Sequence, residues 1–309
     1  MNKKCSAAYV ALILMGVSLF IVAGQAVAGS QLVRDVYPRL SSGALASAKL
    51  ANLPAGVLLR SKGLTLTQKS IDAEIAKAPQ DLQPQLRKNA FFVLENLMTS
   101  DLLLAEAEAW AKKNNRDPNK EGDALLKDYF QSLTPKIAVT DDELRKFFDE
   151  NKDMMGGATF DQVKGQLKNY VLDQKRLEAM DAHMSSIGDK VSIEINKSWA
   201  AKQYVLTMNN PVDKARRSGK PTLADFGADG CRPCEMMAPI LDSLKKEYAG
   251  KANVLFIHVR KEQILAARYG IRSIPVQIFF DKSGKEVFKH VGFFPKKQIT
   301  AKFAEMGAK

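Results

Sequence analysis

The chain has 309 residues, with 46 Lys and Arg against 34 Asp and Glu and a formal net charge of +12. That length holds two ordinary domains, while 3 cysteines are too few for a disulfide-stapled scaffold. Basic residues sit among acidic neighbours, as in Asp141-Asp142-Glu143-Leu144-Arg145-Lys146, and form no stripe interleaved with aromatics. This pattern argues against nucleic acid and for a solvated basic surface suited to acidic partners or anionic membranes.

The N-terminus carries Lys3 and Lys4, then an apolar and small stretch from Ala7 to Gly24, then Ala26-Val27-Ala28-Gly29. A basic region, an apolar region and a small-x-small site in that order predict a signal peptide over residues 1–28, cleaved after Ala28. The alternative is a retained anchor, since an apolar run of about 17 or 18 residues is the lower limit for spanning ~30 Å of hydrocarbon. Cys5 precedes the apolar stretch, so it does not have the place of a lipoprotein cysteine. Removing Lys3 and Lys4 lowers the charge from +12 by 2 to +10. Export to the periplasm would leave Cys231 and Cys234 as the remaining cysteines, in a compartment where disulfides persist. The loop between them is too short to stabilise a fold much, so redox chemistry explains the pair better than architecture does.

Residues 29–198 are rich in Leu, Ala, Lys, Gln and Glu and read as mainly helical. From Leu82 to Asn115, Leu86, Ala90, Val93, Leu94, Leu97, Met98, Leu102 and Ala105 recur at three- and four-residue steps, which predicts one or two amphipathic helices. A further helix opens at Thr140, with Glu143 completing a capping box. Another opens at Thr159 and carries a stripe from Phe160 through Leu167, Tyr170 and Leu177 to Ile187, and Gly156-Gly157 separates the two. Val191 to Ile195 alternates like a short half-buried strand. The opening from Gly56 to Ile75, with Thr67 heading a helix, the Pro84-Gln85-Leu86-Arg87 helix entry and the late helix closed by Val191 to Asn196 resemble the non-catalytic part of parvulin-type foldases and SurA-like periplasmic chaperones. The resemblance implies a chaperone or docking module. Residues 151–158, where such foldases commonly carry an isomerase domain, are too few to hold one, so no isomerase activity is expected.

Residues 199–309 change character to short apolar runs separated by Gly and Pro. Asn209 to Gly219 is polar and helix-compatible, Thr222 to Phe226 reads as a buried strand, and Glu235 to Leu244 continues a helix that Pro239 would kink. Strands follow at Val254 to Val259, Gln277 to Phe280 and Glu286 to Val291, with a turn at Asp281-Lys282-Ser283-Gly284 and a last helix from Pro295 to Met306. Cys231-Arg232-Pro233-Cys234 falls where the first strand gives way to the first helix. An acid six residues before Cys231 (Asp225), a proline five residues after Cys234 (Pro239) and Ile274-Pro275 after Tyr-Gly-Ile-Arg complete the pattern. Together these features resemble the thioredoxin family, and imply an α/β domain with a central mixed sheet flanked by helices. The whole chain is then multidomain, a SurA-like helical domain followed by a thioredoxin-fold domain.

The resemblance implies that Cys231 attacks a substrate disulfide as a thiolate at a helix N-terminus and that Cys234 resolves the mixed disulfide. It implies that Pro275 is cis, faces the disulfide and, with Ile274 and Gly230, borders the substrate. Arg232 and Pro233 would tune the thiolate. Asp225, if buried beneath Cys234, would take the proton of the resolving thiol, the alternative being a turn acid at a strand end. The family's usual tryptophan before the first cysteine is Gly230 here, its Gly-Pro between the cysteines is Arg232-Pro233, and its usual lysine partner of the buried acid falls on Phe256. His258, on the same strand, reads as a strand histidine. His183, His258 and His290 have no finger-like spacing, so no metal is expected, and the redox-active disulfide is the only cofactor. The expected activity is periplasmic thiol–disulfide exchange, reductive or isomerising in direction, with cysteine-bearing exported proteins as substrates and a membrane redox partner as electron source. The competing expectation is a periplasmic holdase chaperone whose C-terminal domain is accessory.

Overall fold

A computed structural model describes residues 31–308 apart from Ser42, Pro135, Asp153 and Met154. The expected signal peptide and Cys5 lie outside the described residues. Among the described residues, no helix is long and apolar enough to cross a membrane.

The chain runs α1 (Val33–Val36), β1 (Lys49–Ala51), β2 (Val57–Ser61), β3 (Leu64–Thr67), α2 (Gln68–Lys77), α3 (Gln83–Lys88), α4 (Ala90–Lys113), α5 (Gly122–Leu133), α6 (Asp141–Glu150) and α7 (Phe160–Ile187). It continues through β4 (Ile193–Asn196), α8 (Lys197–Thr207), α9 (Pro211–Arg216), β5 (Thr222–Gly227), α10 (Arg232–Glu247), β6 (Asn253–His258), α11 (Gln263–Arg268), β7 (Val276–Phe280), β8 (Glu286–Val291) and α12 (Lys296–Glu305).

The first half is mainly helical and also carries a small sheet in the order β1-β4-β2-β3. Strand β4 pairs with β1 and β2, from far earlier in the chain, so the late strand closes the sheet that the opening hairpin begins. Leu59, Ile71, Phe91, Leu94, Met98 and Ile195 fill the core beneath it. The predicted stripe of α4 holds as far as Leu102 and then drifts: Ala105 is exposed, while Ala107 and Ala111 are buried against Leu125 and Tyr129 of α5. Glu95 is also buried in α4, where it accepts hydrogen bonds from the Ser41 hydroxyl and the Leu45 N–H.

Helices α6 and α7 form an antiparallel arm. Glu143 closes the capping box at Thr140, its carboxylate accepting from the Thr140 N–H at 2.9 Å, and the Thr159 N–H donates to Gln162 at 2.8 Å. Leu144, Phe148 and Leu167 are the buried residues between the two helices. The rest of the α7 stripe is half-buried or exposed until Ile187, which is buried in the first core with Met184 packed beside it.

Helix α8 begins beside the compositional change near residue 198, yet Trp199, Ala200 and Tyr204 pack on the first core. The second core begins with Val212 of α9. Here the sheet order is β6-β5-β7-β8, with β5 parallel to β6 and antiparallel to β7. Alternation along β5 puts Leu223 towards α10 and α12 and Ala224 and Phe226 towards α9 and α11. Asp225 shares the parity of Leu223, so it faces α10. Helix α10 runs as one element through Pro239.

Candidate active site

Cys231 is the N-cap of α10, and its sulfur accepts from the Cys234 N–H at 3.3 Å. Pro233 sits in the first turn, where an N–H would have no helical partner, so the ring costs nothing there. The two cysteines form a disulfide with Cα atoms 5.2 Å apart. Cys231 is half-buried, whereas Cys234, one turn into the helix, is 5% exposed. Arg232 is exposed beside them.

Across the disulfide lies the Ile274–Pro275 peptide bond, which is cis. The Ile274 carbonyl oxygen is 3.9 Å from Cys231 Sγ. The Pro275 carbonyl accepts from Gly292 N–H at 2.8 Å, which ties this loop to the one after β8. Proline has no N–H, so no backbone donor from position 275 competes for the sulfurs.

Beneath the helix, strand register lines up Phe256, Asp225, Gln277 and His290 across β6, β5, β7 and β8. Asp225 is fully buried, and its Oδ1 accepts from Gln277 Nε2 at 2.7 Å. Burial pushes the Asp225 carboxyl up to about 6, against the lowering effect of that hydrogen bond. Neither Asp225 Oδ2 nor Gln277 Oε1 has a hydrogen-bond partner among the described residues. His290 is held below the usual histidine range by burial, against its bond to the Phe293 carbonyl and the charge of Glu150.

Two glycines shape the rim. Gly230 has φ +71, a conformation that a side chain makes costly, and it is exposed. A Cβ on Gly227 would lie 2.8 Å from Phe256 Cε2 and 3.4 Å from Cys234 Sγ, so only glycine lets the ring and the sulfur approach the strand end together. His258 Nε2 is 3.0 Å from Asp229 Oδ2, and this contact holds the Asp229 carboxyl below the usual range.

The thioredoxin family profile matches residues 203–305. A thioredoxin of Chlorobaculum thiosulfatiphilum is 38% identical over 106 residues, covering 34% of this chain and 97% of that protein. A thioredoxin of Haemophilus influenzae is 43% identical over 79 residues, 26% of this chain and 73% of that protein. The chain belongs to the thioredoxin family.

Membership rests on the C-terminal third and carries thiol–disulfide oxidoreductase chemistry as the class of reaction. A solved thioredoxin of Halobacterium salinarum is 28% identical and covers 32% of this chain and 83% of its own, with a TM-score of 0.29. Within this thioredoxin-family domain, the structure brings Cys231, Cys234, Ile274 and Pro275 together, with Cys231 and Ile274 half-buried, Cys234 and Pro275 buried, and Asp225 below. Arg232 and Gly230 lie on the outer rim. Sequence reasoning missed Gln277 as the donor to Asp225, although one signal was present: a lone amide in the otherwise apolar run Val276 to Phe280. It also missed Gly227, whose role depends on a neighbour 29 positions away, and the Asp229–His258 contact.

Proposed function

We propose that the protein is a periplasmic thiol–disulfide oxidoreductase that exchanges disulfides with exported proteins, and that residues 29–198 form a chaperone-like module for substrate or partner binding. The observation that carries this reading is the half-buried sulfur of Cys231 at a helix N-terminus, 3.9 Å from the carbonyl before a cis-proline. Unpaired N–H groups and the helix dipole stabilise a thiolate there, and the charge of Arg232 acts in the same direction.

In the reductive direction the Cys231 thiolate attacks a substrate disulfide, forming a mixed disulfide and releasing the first substrate thiolate. Cys234 then loses its proton to Asp225 and attacks Cys231 Sγ. The second substrate thiolate leaves and the Cys231–Cys234 bond forms, so two electrons pass from protein to substrate. A carboxyl near 6 is matched to that proton transfer at neutral pH. Oxidation of a substrate is the same sequence reversed. We place the protein on the reducing or isomerising side, with a membrane partner supplying electrons. The signal peptide over residues 1–28 and the SurA-like character of residues 29–198 are part of the proposal and rest on the sequence patterns.

The half-exposed apolar stripe of α7 favours a second reading, a holdase whose thioredoxin domain is accessory. One experiment separates the two. Cys234→Ala should accumulate mixed disulfides with exported proteins on a non-reducing gel, and Cys231→Ser should abolish both those adducts and biological function. Full function in Cys231→Ser would leave the holdase reading in place. Equilibration of the pair with glutathione then fixes the direction.

A further inference from the structure

Asp225 is flanked by two strands. On the β7 side Gln277 closes over it with a hydrogen bond. On the other side β6 is the edge of the sheet, and its residue at the same level is Phe256, in register with Asp225. In-register side chains of neighbouring strands point to one face, with Cβ atoms about 5 Å apart. Asp225 is 0% exposed and Phe256 is 42% exposed. The ring therefore stands between a buried carboxyl and water.

The backbone makes room for it. The Cβ that Gly227 lacks would lie 2.8 Å from Phe256 Cε2 and 3.4 Å from Cys234 Sγ, so ring edge and resolving sulfur are at most 6.2 Å apart, the two distances added. The ring leans along the strand from the level of Asp225 to that of Gly227, and so covers both the acid and the thiol whose proton it would take. Other titratable groups on this face have partners elsewhere. His258 of β6, level with Gly227, has Nε2 3.0 Å from Asp229 Oδ2. His290 of β8 has Nε2 3.1 Å from the Phe293 carbonyl oxygen. Arg232 and Glu235, at the start of α10, are exposed. Among the described residues, Gln277 alone is hydrogen-bonded to the Asp225 carboxyl.

We propose that Phe256 is the apolar cover of the proton-accepting pocket, a positioning residue that keeps water from Asp225 and Cys234 and so sets the pH at which the resolving step turns on. This rests on the exchange reading above and adds a residue to that same site. In the resolving step Cys234 gives its proton to Asp225, its sulfur attacks Cys231 Sγ and the bound thiolate leaves. Without the ring, water reaches the carboxyl, charging it costs less, and it loses its proton at lower pH.

The test uses the full reduced protein and excess glutathione disulfide. Attack by Cys231 releases the first glutathione at a rate proportional to disulfide concentration. Resolution releases the second at a rate independent of it, and the pH profile of that second phase is the readout. Phe256→Ala should lower its midpoint by about one pH unit, a roughly tenfold change in the acid constant. Phe256→Leu, which keeps an apolar cover, should stay near the wild-type midpoint. Gly227→Ala puts a methyl where the ring edge lies, so it should displace the ring and move the midpoint the same way. The double variant should go no lower than Phe256→Ala, since both changes act through one ring. His258→Gln should leave the midpoint in place. An unmoved midpoint in Phe256→Ala, equal shifts in Phe256→Ala and Phe256→Leu, or loss of the midpoint in His258→Gln would overturn the cover. Should Phe256→Ala not fold, Gly227→Ala decides by the same criterion. Absence of any glutathione release from the wild type would overturn the oxidoreductase reading and this inference with it, so the two failures are distinct.

Discussion

Asp225 shows at the scale of one residue how the fold trades stability for chemistry. Its carboxyl lies near 6 in the folded protein against an ordinary value of 3.8. Below about pH 4 both folded and unfolded forms are protonated, and the group contributes no pH dependence. As pH rises from 4 to 6 the unfolded chain releases the proton while the native protein keeps it, so stability falls, and the loss is complete above 6. A shift of about two units corresponds to about 3 kcal/mol. Asp225→Asn should therefore raise the unfolding free energy measured in urea at pH 7 by that order and leave it nearly unchanged at pH 4, while slowing resolution of the mixed disulfide. An equal gain at both pH values would mean that the burial of Asp225 has no titration cost. Gln277 supplies a second test. Its amide donates to Asp225 Oδ1 and holds the carboxyl lower than burial alone would. Gln277→Leu should move the midpoint of the pH–rate profile for resolution upwards. A residue that only packs would change the rate without moving that midpoint.

Between elements, the joint that matters is a buried ionic knot at α9. Asp213 is fully buried, and Arg216 and Arg268 approach it at 3.8 and 3.5 Å. Tyr269 donates to its Oδ1 at 3.0 Å and the Asn210 amide to its Oδ2 at 2.6 Å. Arg216 also reaches the Gly284 carbonyl in the β7–β8 turn, and Arg268 reaches the Thr207 carbonyl at the end of α8. Removing the carboxylate leaves two buried guanidinium groups without their counter-ion. Asp213→Ala should cost about 3–5 kcal/mol in denaturant unfolding, and Asp213→Asn, which keeps hydrogen-bonding atoms, should cost less. None of this was legible in the sequence, where Asp213 belongs to an undistinguished polar stretch. Local signals carried further: the box at Thr140, the helix opening at Thr159 and the strand containing Asp225 all depend on neighbouring residues. Helix α5 and the short α11 went unpredicted, and the partners of β4 could not be read, because register is set by residues more than a hundred positions away. The same limit hid the Gln277–Asp225 bond, while the cysteines, Pro275 and Asp225 stood out through fixed spacing.

In the whole molecule, the described residues from 31 to 308 form one compact unit, and composition is a poor guide to where its two halves part. The amino-acid usage changes near residue 198, but α8 beyond it belongs to the first core. Trp199 stacks on Phe91 with ring centroids 5.9 Å apart, Tyr204 packs at a tilt against Tyr37 at 5.3 Å, and Ala200 is fully buried. The side chains that bind α9 to the second sheet start at Asn210, which caps α9 through the Asp213 N–H. A fragment of residues 199–309 would therefore carry an apolar helix without its core, and one of residues 208–309 would not. Trp199 is the only tryptophan in the longer fragment, so its emission reports on that helix directly. It should shift towards the water-exposed wavelength relative to a full-length variant in which Trp110 is replaced by Phe, and the fragment should associate at concentrations where residues 208–309 stay monomeric. Both fragments should exchange with glutathione disulfide, since β5, α10 and the cis-proline loop are intact in each. Buried-type emission from Trp199 in a monomeric 199–309 fragment would show that α8 finds its packing within the redox domain instead, and would move the boundary back to residue 198.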